Sequence, residues 1–147
     1  MKYLSKLDGY FCLKLNRMNA NCPCGREKTY EECCGIAHKN IANVKTAEDL
    51  MRSRYTAFTH ANGDYLMLSH HTTTRELDRK QEIADWAWSV EWLRLEIISA
   101  FDGGPDDEEG TVEFRAYFKE NGKEKYLYET SRFIKERGKW KYHGIVR

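Results

Sequence analysis

The chain has 147 residues, 41% of them hydrophobic and 32% charged, and a net charge of +1. That length buries one ordinary core and that balance is globular, which excludes a fibrous or disordered chain. The near-zero charge, with no lysine or arginine run, supplies no field for nucleic acid, and no apolar stretch approaches the length of a membrane span.

Met1 to Asn21 mixes Lys2, Lys6, Asp8, Lys14 and Arg17 with apolar residues and lacks the apolar block of a signal peptide. Residues 1–20 therefore read as an N-terminal extension, and the expected compartment is the cytoplasm. Cys12 reads as an ordinary thiol. The other four cysteines form a cluster: Cys22-Pro23-Cys24, eight residues, then Cys33-Cys34. A C-x-C hook and a vicinal pair supply the four soft ligands of a closed tetrahedral zinc site. Bonding vicinal cysteines to each other strains the peptide, which argues against a disulfide framework. Residues 21–40 thus read as a knuckle holding one structural Zn2+, unfolded without it. His38 is an alternative fourth ligand to Cys34, or else a solvated histidine. Gly25 turns the chain after the hook. Thr29 and Glu32 have capping-box spacing, so Tyr30 to Cys34 reads as a short helix that Gly35 ends. Arg26 and Lys28 are placed to offset the charge of four thiolates.

Residues 45–147 form the main domain, helices first and strands second. Thr46 and Asp49 have capping spacing before a helix over Leu50–Ala61. Asn62-Gly63 breaks it, Asp64 can cap a second helix over Tyr65–His70, and a third runs from near Arg75 towards Trp88, with Thr73 and Glu76 at capping spacing. The period then becomes two. Leu93, Leu95 and Ile97 alternate with Trp92, Arg94, Glu96 and Ile98 in a first strand. Asp102–Gly110 is a loop, and Val112, Phe114, Ala116 and Phe118 mark one face of a second strand. Asn121-Gly122 is a hairpin turn, a third strand spans Glu124–Lys135, and Arg137-Gly138 leads to a fourth over Trp140–Val146. The fold class is α+β: three helices on one face of a curved four-stranded antiparallel sheet, a cone with a pocket between the layers.

Arg54 falls within the inward stripe of the first helix, and a buried arginine needs a carboxylate or several carbonyls. Glu129, which shares a strand face with Leu127 and Phe133, is its expected partner. Either the two form a buried ion pair holding helix to sheet, or they form an anion-binding or acid–base site. His70 and His71 sit at an expected helix end, where capping and packing explain them. The four tryptophans read mostly as core, with Trp92 a pocket candidate. Pocket candidates are thus Arg54, Glu129, Trp92 and His70. No nucleophile elbow, phosphate loop or Ser-His-Asp order is present, so no catalytic residue is assigned.

Cys22-Pro-Cys24-Gly25 through Tyr30 to Cys33-Cys34-Gly35 resembles the SEC-C zinc motif of bacterial proteins. The run Leu50-Met51-Arg52-Ser53-Arg54-Tyr55-Thr56-Ala57-Phe58, then Asp64-Tyr65-Leu66, Ser69-His70, Trp92, Glu129-Thr130-Ser131-Arg132-Phe133 and Trp140-Lys141-Tyr142, is similar to the YchJ family. The resemblance implies a nuclear-transport-factor-two-like cone and no settled function. Arg26-Glu27 replaces the family's usual Ser-Gly after the hook. The chain ends at Arg147 without the second zinc motif that many relatives carry. The hook usually opens the family's chains, so Met18 is the expected natural start.

Two function classes follow. One is a non-catalytic adaptor whose knuckle recognises a protein partner, with a possible small ligand in the cone. The other is an enzyme or ligand binder working in the cone pocket, with Arg54 orienting a carboxylate and Glu129 or a histidine as base. A four-thiolate ion has no open position for substrate, and Arg54 with Glu129 reads as a neutralised pair, which favours the adaptor.

Overall fold

The structure, a computed structural model, describes residues 20–146; the expectations for residues 1–19, including Cys12 and a start at Met18, lie outside them. Four α-helices, α1 (Cys34–Lys39), α2 (Ala47–Thr59), α3 (Gly63–Leu68) and α4 (Lys80–Ser89), precede four strands, β1 (Glu91–Asp102), β2 (Glu109–Glu120), β3 (Lys123–Glu136) and β4 (Lys139–Ile145). The strands pair in chain order β1-β2-β3-β4, all antiparallel, in one open sheet. Both tight hairpins carry two successive positive φ angles, Asn121 (53°) with Gly122 (78°) and Arg137 (53°) with Gly138 (77°). Those angles give a turn whose twist matches that of the flanking strands.

Helix α2 is the spine of the molecule. The Asp49 amide donates to Thr46 Oγ1 at 3.0 Å, and Glu48 and Asp49 lie in the first turn, where negative charge suits the helix dipole. Its inner side buries Leu50, Met51, Ser53, Arg54, Tyr55 and Ala57. Leu50, Met51, Tyr55 and Ala57 pack with Leu66 of α3 and with Val112, Phe114, Ala116, Phe133 and Trp140 of the sheet. Trp140 and Phe133 are the largest fully buried side chains, and Trp140 Nε1 donates to the Lys45 carbonyl at 3.1 Å. Ala37, Ile41 and Val44 belong to the same core, so the segment that carries the cysteines is packed into the main domain.

Three local expectations are corrected. The cap of α3 is Asn62, whose Oδ1 accepts from the Tyr65 amide at 3.0 Å, and Asp64 lies inside the helix. Thr73 does not cap a helix: its amide and hydroxyl both bond the His71 ring. The chain instead makes a 3-10 turn over Leu77–Arg79 and enters α4 at Lys80. His70 follows the C-cap of α3 directly, its amide on the Met67 carbonyl at 3.2 Å, but His71 lies past the helix end. Ser69 and His71 instead exchange backbone hydrogen bonds with Tyr142, both 2.8 Å, stitching the end of α3 to β4. Strand β1 carries a fourth. The register shifts between Trp92 and Arg94, leaving Leu93 as a bulge, so Trp92 and Leu95 face the same core instead of opposite sides.

Candidate metal centre and cone cavity

The thiol cluster is built by two short turns brought face to face. The Cys22 amide donates to the Lys28 carbonyl at 2.6 Å and the Gly25 amide to the Cys22 carbonyl at 3.1 Å, closing the hook around Gly25, whose φ is +97°. Thr29 Oγ1 accepts from the Glu32 amide at 3.3 Å and starts a 3-10 turn over Tyr30–Glu32. The helix does not end at Gly35 as its sequence position suggests. The chain breaks at Cys33 (φ −127°, ψ −111°) and restarts as α1 at Cys34, with Gly35 in its first turn. A Cβ on Gly35 would stand 2.7 Å from the Tyr30 carbonyl oxygen, so glycine is needed for close packing and not for termination.

The four sulfurs of Cys22, Cys24, Cys33 and Cys34 all lie within 4.8 Å of one another. Cys24 and Cys33 Sγ are 3.6 Å apart, and Cys22 Sγ is 3.7 Å from Thr56 Oγ1 on α2. Three of the thiols are buried and Cys33 is partly exposed. Their protons are in conflict. Hydrogen bonds from Cys24 and Cys34 pull the Cys22 thiol down, and the bonds shared with Cys22 and Cys24 push Cys34 up. Burial, then the charge at Cys24 and Cys22, pushes Cys33 up to about 11. Four thiolates cannot coexist so closely without a cation, which is the donor set a soft divalent metal takes.

His38, the alternative fourth ligand, stands outside this set, with both ring nitrogens engaged elsewhere. Its Nε2–H donates to the Ser53 carbonyl at 2.8 Å, so Nδ1 accepts from the Tyr30 hydroxyl at 2.8 Å. The ring packs at a tilt against Tyr65, centroids 4.4 Å apart, and burial lowers its pKa. Its work is to fasten α1 to α2.

Two arginines fasten the hook. Arg52 Nη1 donates to the Cys24 carbonyl at 2.7 Å while its Nε holds Glu48 at 3.0 Å. Arg26 Nη2 contacts Asp49 at 2.6 Å and Glu48 at 3.4 Å. Against its partial burial, Asp49 and then the charges at Cys24 and Cys33 raise the Arg26 pKa. The departure Arg26-Glu27 therefore adds a tie between hook and α2. Substituting Arg52→Ala unfastens the Cys24 carbonyl and is expected to destabilise the chain by about 1–2 kcal/mol. Urea unfolding checks this, and a change under about 0.3 kcal/mol would show the tie to be idle.

The cone behind the knuckle holds a cavity of about 210 Å³, and all four pocket candidates, Arg54, His70, Trp92 and Glu129, line it. The expected Arg54–Glu129 ion pair is absent: no nitrogen–oxygen distance within 4.0 Å joins them. Arg54 Nη1 donates instead to the Leu66 carbonyl (2.8 Å) and Ser69 Oγ (2.7 Å), while Glu129 accepts from Ser131 Oγ at 3.0 Å. The last turn of α3 offers carbonyls with no helical partner, and they reach the guanidinium first. Burial pulls the Arg54 pKa down to about 10, with Tyr142, Tyr65 and Glu129 opposing. Sequence reasoning missed Ser69 and Tyr142; the Tyr142 ring centre is 4.6 Å from the guanidinium carbon. Tyr142 stands two residues after the core Trp140, a spacing that places it on the same strand face.

Burial, followed by the positive charge of Arg54, pulls the His70 imidazole down to about 4. Its folded pKa lies below the ordinary value, so the unfolded chain binds the extra proton between about pH 6.5 and 4. Stability from His70 is present above that window and lost as pH falls through it. The variant His70→Gln is expected to show a shallower acid-side loss in thermal melts at pH 7, 6, 5 and 4; parallel curves would contradict the assignment.

The matching family models follow this geometry. "YchJ, middle NTF2-like domain" matches residues 46–144, and the SEC-C motif matches residues 18–36. The chain belongs to the YchJ family. Within it, a UPF0225 protein of Vibrio parahaemolyticus is 45% identical over 125 residues, spanning 85% of this chain and 74% of the relative. A SEC-C motif protein of Rhodopseudomonas palustris, solved in solution, aligns at a TM-score of 0.74 and 34% identity over 87% of this chain and 100% of its own. A crystal structure of a SEC-C motif protein from Psychrobacter arcticus aligns at 0.69 and 25% identity, over 87% and 81%. This YchJ chain thus shares its cone and cysteine-bearing motif with bacterial relatives. Among its described residues no helix is long and apolar enough to cross a membrane.

Proposed function

We propose that Cys22, Cys24, Cys33 and Cys34 hold one structural zinc ion, and that the chain is a non-catalytic adaptor of the bacterial cytoplasm whose knuckle recognises a protein partner. The observation that carries the reading is the sulfur geometry. Zn–S bonds of about 2.3 Å in a tetrahedron put sulfurs roughly 3.8 Å apart, close to the 3.6 Å between Cys24 and Cys33. Four thiolates close the coordination sphere, so the ion would order the chain rather than activate water. Reduced thiols suit the cytoplasm.

The outer side of the knuckle carries an apolar residue that the core does not use. Ile36 is 45% exposed on α1. With Lys28 and Glu32 it borders a groove beside Cys33. An apolar anchor ringed by charges is the chemistry of a small protein-recognition site. A photo-crosslinking side chain at position 36, in cells, is expected to trap a discrete partner, and the same probe at Tyr126, on the exposed face of β3, is not. Equal trapping from both positions, or none from position 36, would contradict the adaptor reading. The second reading, a ligand site in the cone, is favoured by the state of Arg54.

A further inference from the structure

The cone cavity contains a guanidinium edge that the described residues leave unfilled. Arg54 is only 7% exposed, and among the described residues its hydrogen bonds all leave from Nη1. No carboxylate of a described residue lies within 4.0 Å of it. Nε and Nη2 therefore have no hydrogen-bond acceptor among the described residues, yet none of their side-chain nitrogens is both sealed and unpartnered. Both facts hold together if that edge opens onto the cavity that Arg54 lines. A buried cation in this state is costly for the folded chain, and its planar pair of N–H groups matches a carboxylate in a forked hydrogen-bonded pair.

The remaining wall selects the rest of the ligand. It is mainly aromatic and aliphatic, with Tyr55, Phe58, Trp92 and Phe114 prominent. The Trp92 ring meets Tyr55 at 5.8 Å, Phe58 at 5.7 Å and Phe118 at 5.6 Å, so this side is held rigid by aromatic packing. A cavity of about 150 Å³ accommodates benzene, so 210 Å³ has room for a ring and a short acid tail. Two titratable groups besides Arg54 and the tyrosines face it. His70 is neutral near pH 7. Among the described residues, Glu129, held by Ser131, is the one acid on the wall, and Arg54 is the one Lys or Arg side chain there, a single guanidinium that matches a single carboxylate.

We propose that the cone cavity is a binding site for a small monocarboxylic acid with an aromatic or branched apolar body, its carboxylate forked onto Nε and Nη2 of Arg54 and its body against Trp92 and Phe58. The site lies apart from the thiol cluster, so its failure would leave the adaptor reading untouched, and the reverse.

The test titrates the full chain with 3-phenylpropionate, with its isosteric amide 3-phenylpropionamide, and with inorganic phosphate. Binding is followed by the Trp92 indole and Arg54 Nε–H signals in proton–nitrogen NMR spectra. The acid is expected to shift both signals and to bind at least about tenfold more tightly than the amide, as a charge-assisted forked pair requires. Phosphate is expected to leave both unmoved. In Arg54→Met the acid should lose its advantage while the amide binds as before, and Arg54→Lys should keep part of it. Equal affinity for acid and amide, no shift at Trp92, or preference for phosphate would overturn the proposal. Should Arg54→Met fail to fold, the acid-to-amide ratio on the wild-type chain and the Arg54 Nε–H shift decide alone.

Discussion

Replacing Cys22 and Cys24 together with serine is expected to abolish metal binding and to loosen α2 along with the knuckle. The coupling is physical and specific. Cys22 Sγ packs on Thr56, Arg52 grips the Cys24 carbonyl, Arg26 grips Asp49, and His38 grips the Ser53 carbonyl. Each of these joins a residue of the hook or of α1 to α2. Structural zinc contributes about 10–16 kcal/mol to the folding of isolated finger peptides at neutral pH. Even a fraction of that is comparable with a whole domain's stability of about 5–15 kcal/mol. Ala37, Ile41 and Val44 would follow the knuckle out of the core. The expected result is a thermal midpoint lower by more than about 10 °C, with amide-exchange protection lost over residues 22–44 and weakened at Arg52, Ser53 and Thr56. Protection in α2 unchanged from wild type would mean that knuckle and cone are independent modules.

Trp140→Ala is expected to cost about 3–5 kcal/mol, the range for deleting a fully buried large aromatic. Trp140 is 1% exposed and makes the hydrogen bond to the Lys45 carbonyl, at the link between the cysteine-bearing segment and α2. The mutation thus opens a cavity under the sheet and leaves a carbonyl unsatisfied at the joint. Trp140→Phe should lose the hydrogen bond and part of the volume only, costing about 1–2 kcal/mol by the same reasoning. Urea unfolding of the three chains checks the order. A cost below about 1 kcal/mol for the alanine variant would show that the joint does not depend on this residue.

Features legible in the amino-acid sequence were those decided by neighbours in the chain. The C-x-C hook and vicinal pair announced the thiol cluster because ligand spacing is local. Thr29 and Thr46 cap as their spacing to Glu32 and Asp49 implies, and Asn121-Gly122 and Arg137-Gly138 turn where positive φ is tolerated. Features decided across the fold were not legible. Alternation cannot show the bulge at Leu93, because a register shift is set by pairing with β2. The position of Gly35 suggests a helix end, because a close approach to Tyr30 leaves no mark in sequence. Glu129 shares the cavity with Arg54 as expected, but nothing local reveals that Leu66 and Ser69 take Arg54 Nη1 first. The burial of His38 between Tyr30 and Ser53 likewise depends on how α1 docks on α2.

The most direct test of the central claim is elemental analysis of the natively purified full chain, combined with zinc X-ray absorption fine structure. The account predicts one zinc per chain, with four sulfur neighbours at about 2.3 Å and none of that metal in the Cys22→Ser/Cys24→Ser variant. No zinc, or a first shell of three sulfurs and one imidazole nitrogen, would contradict it.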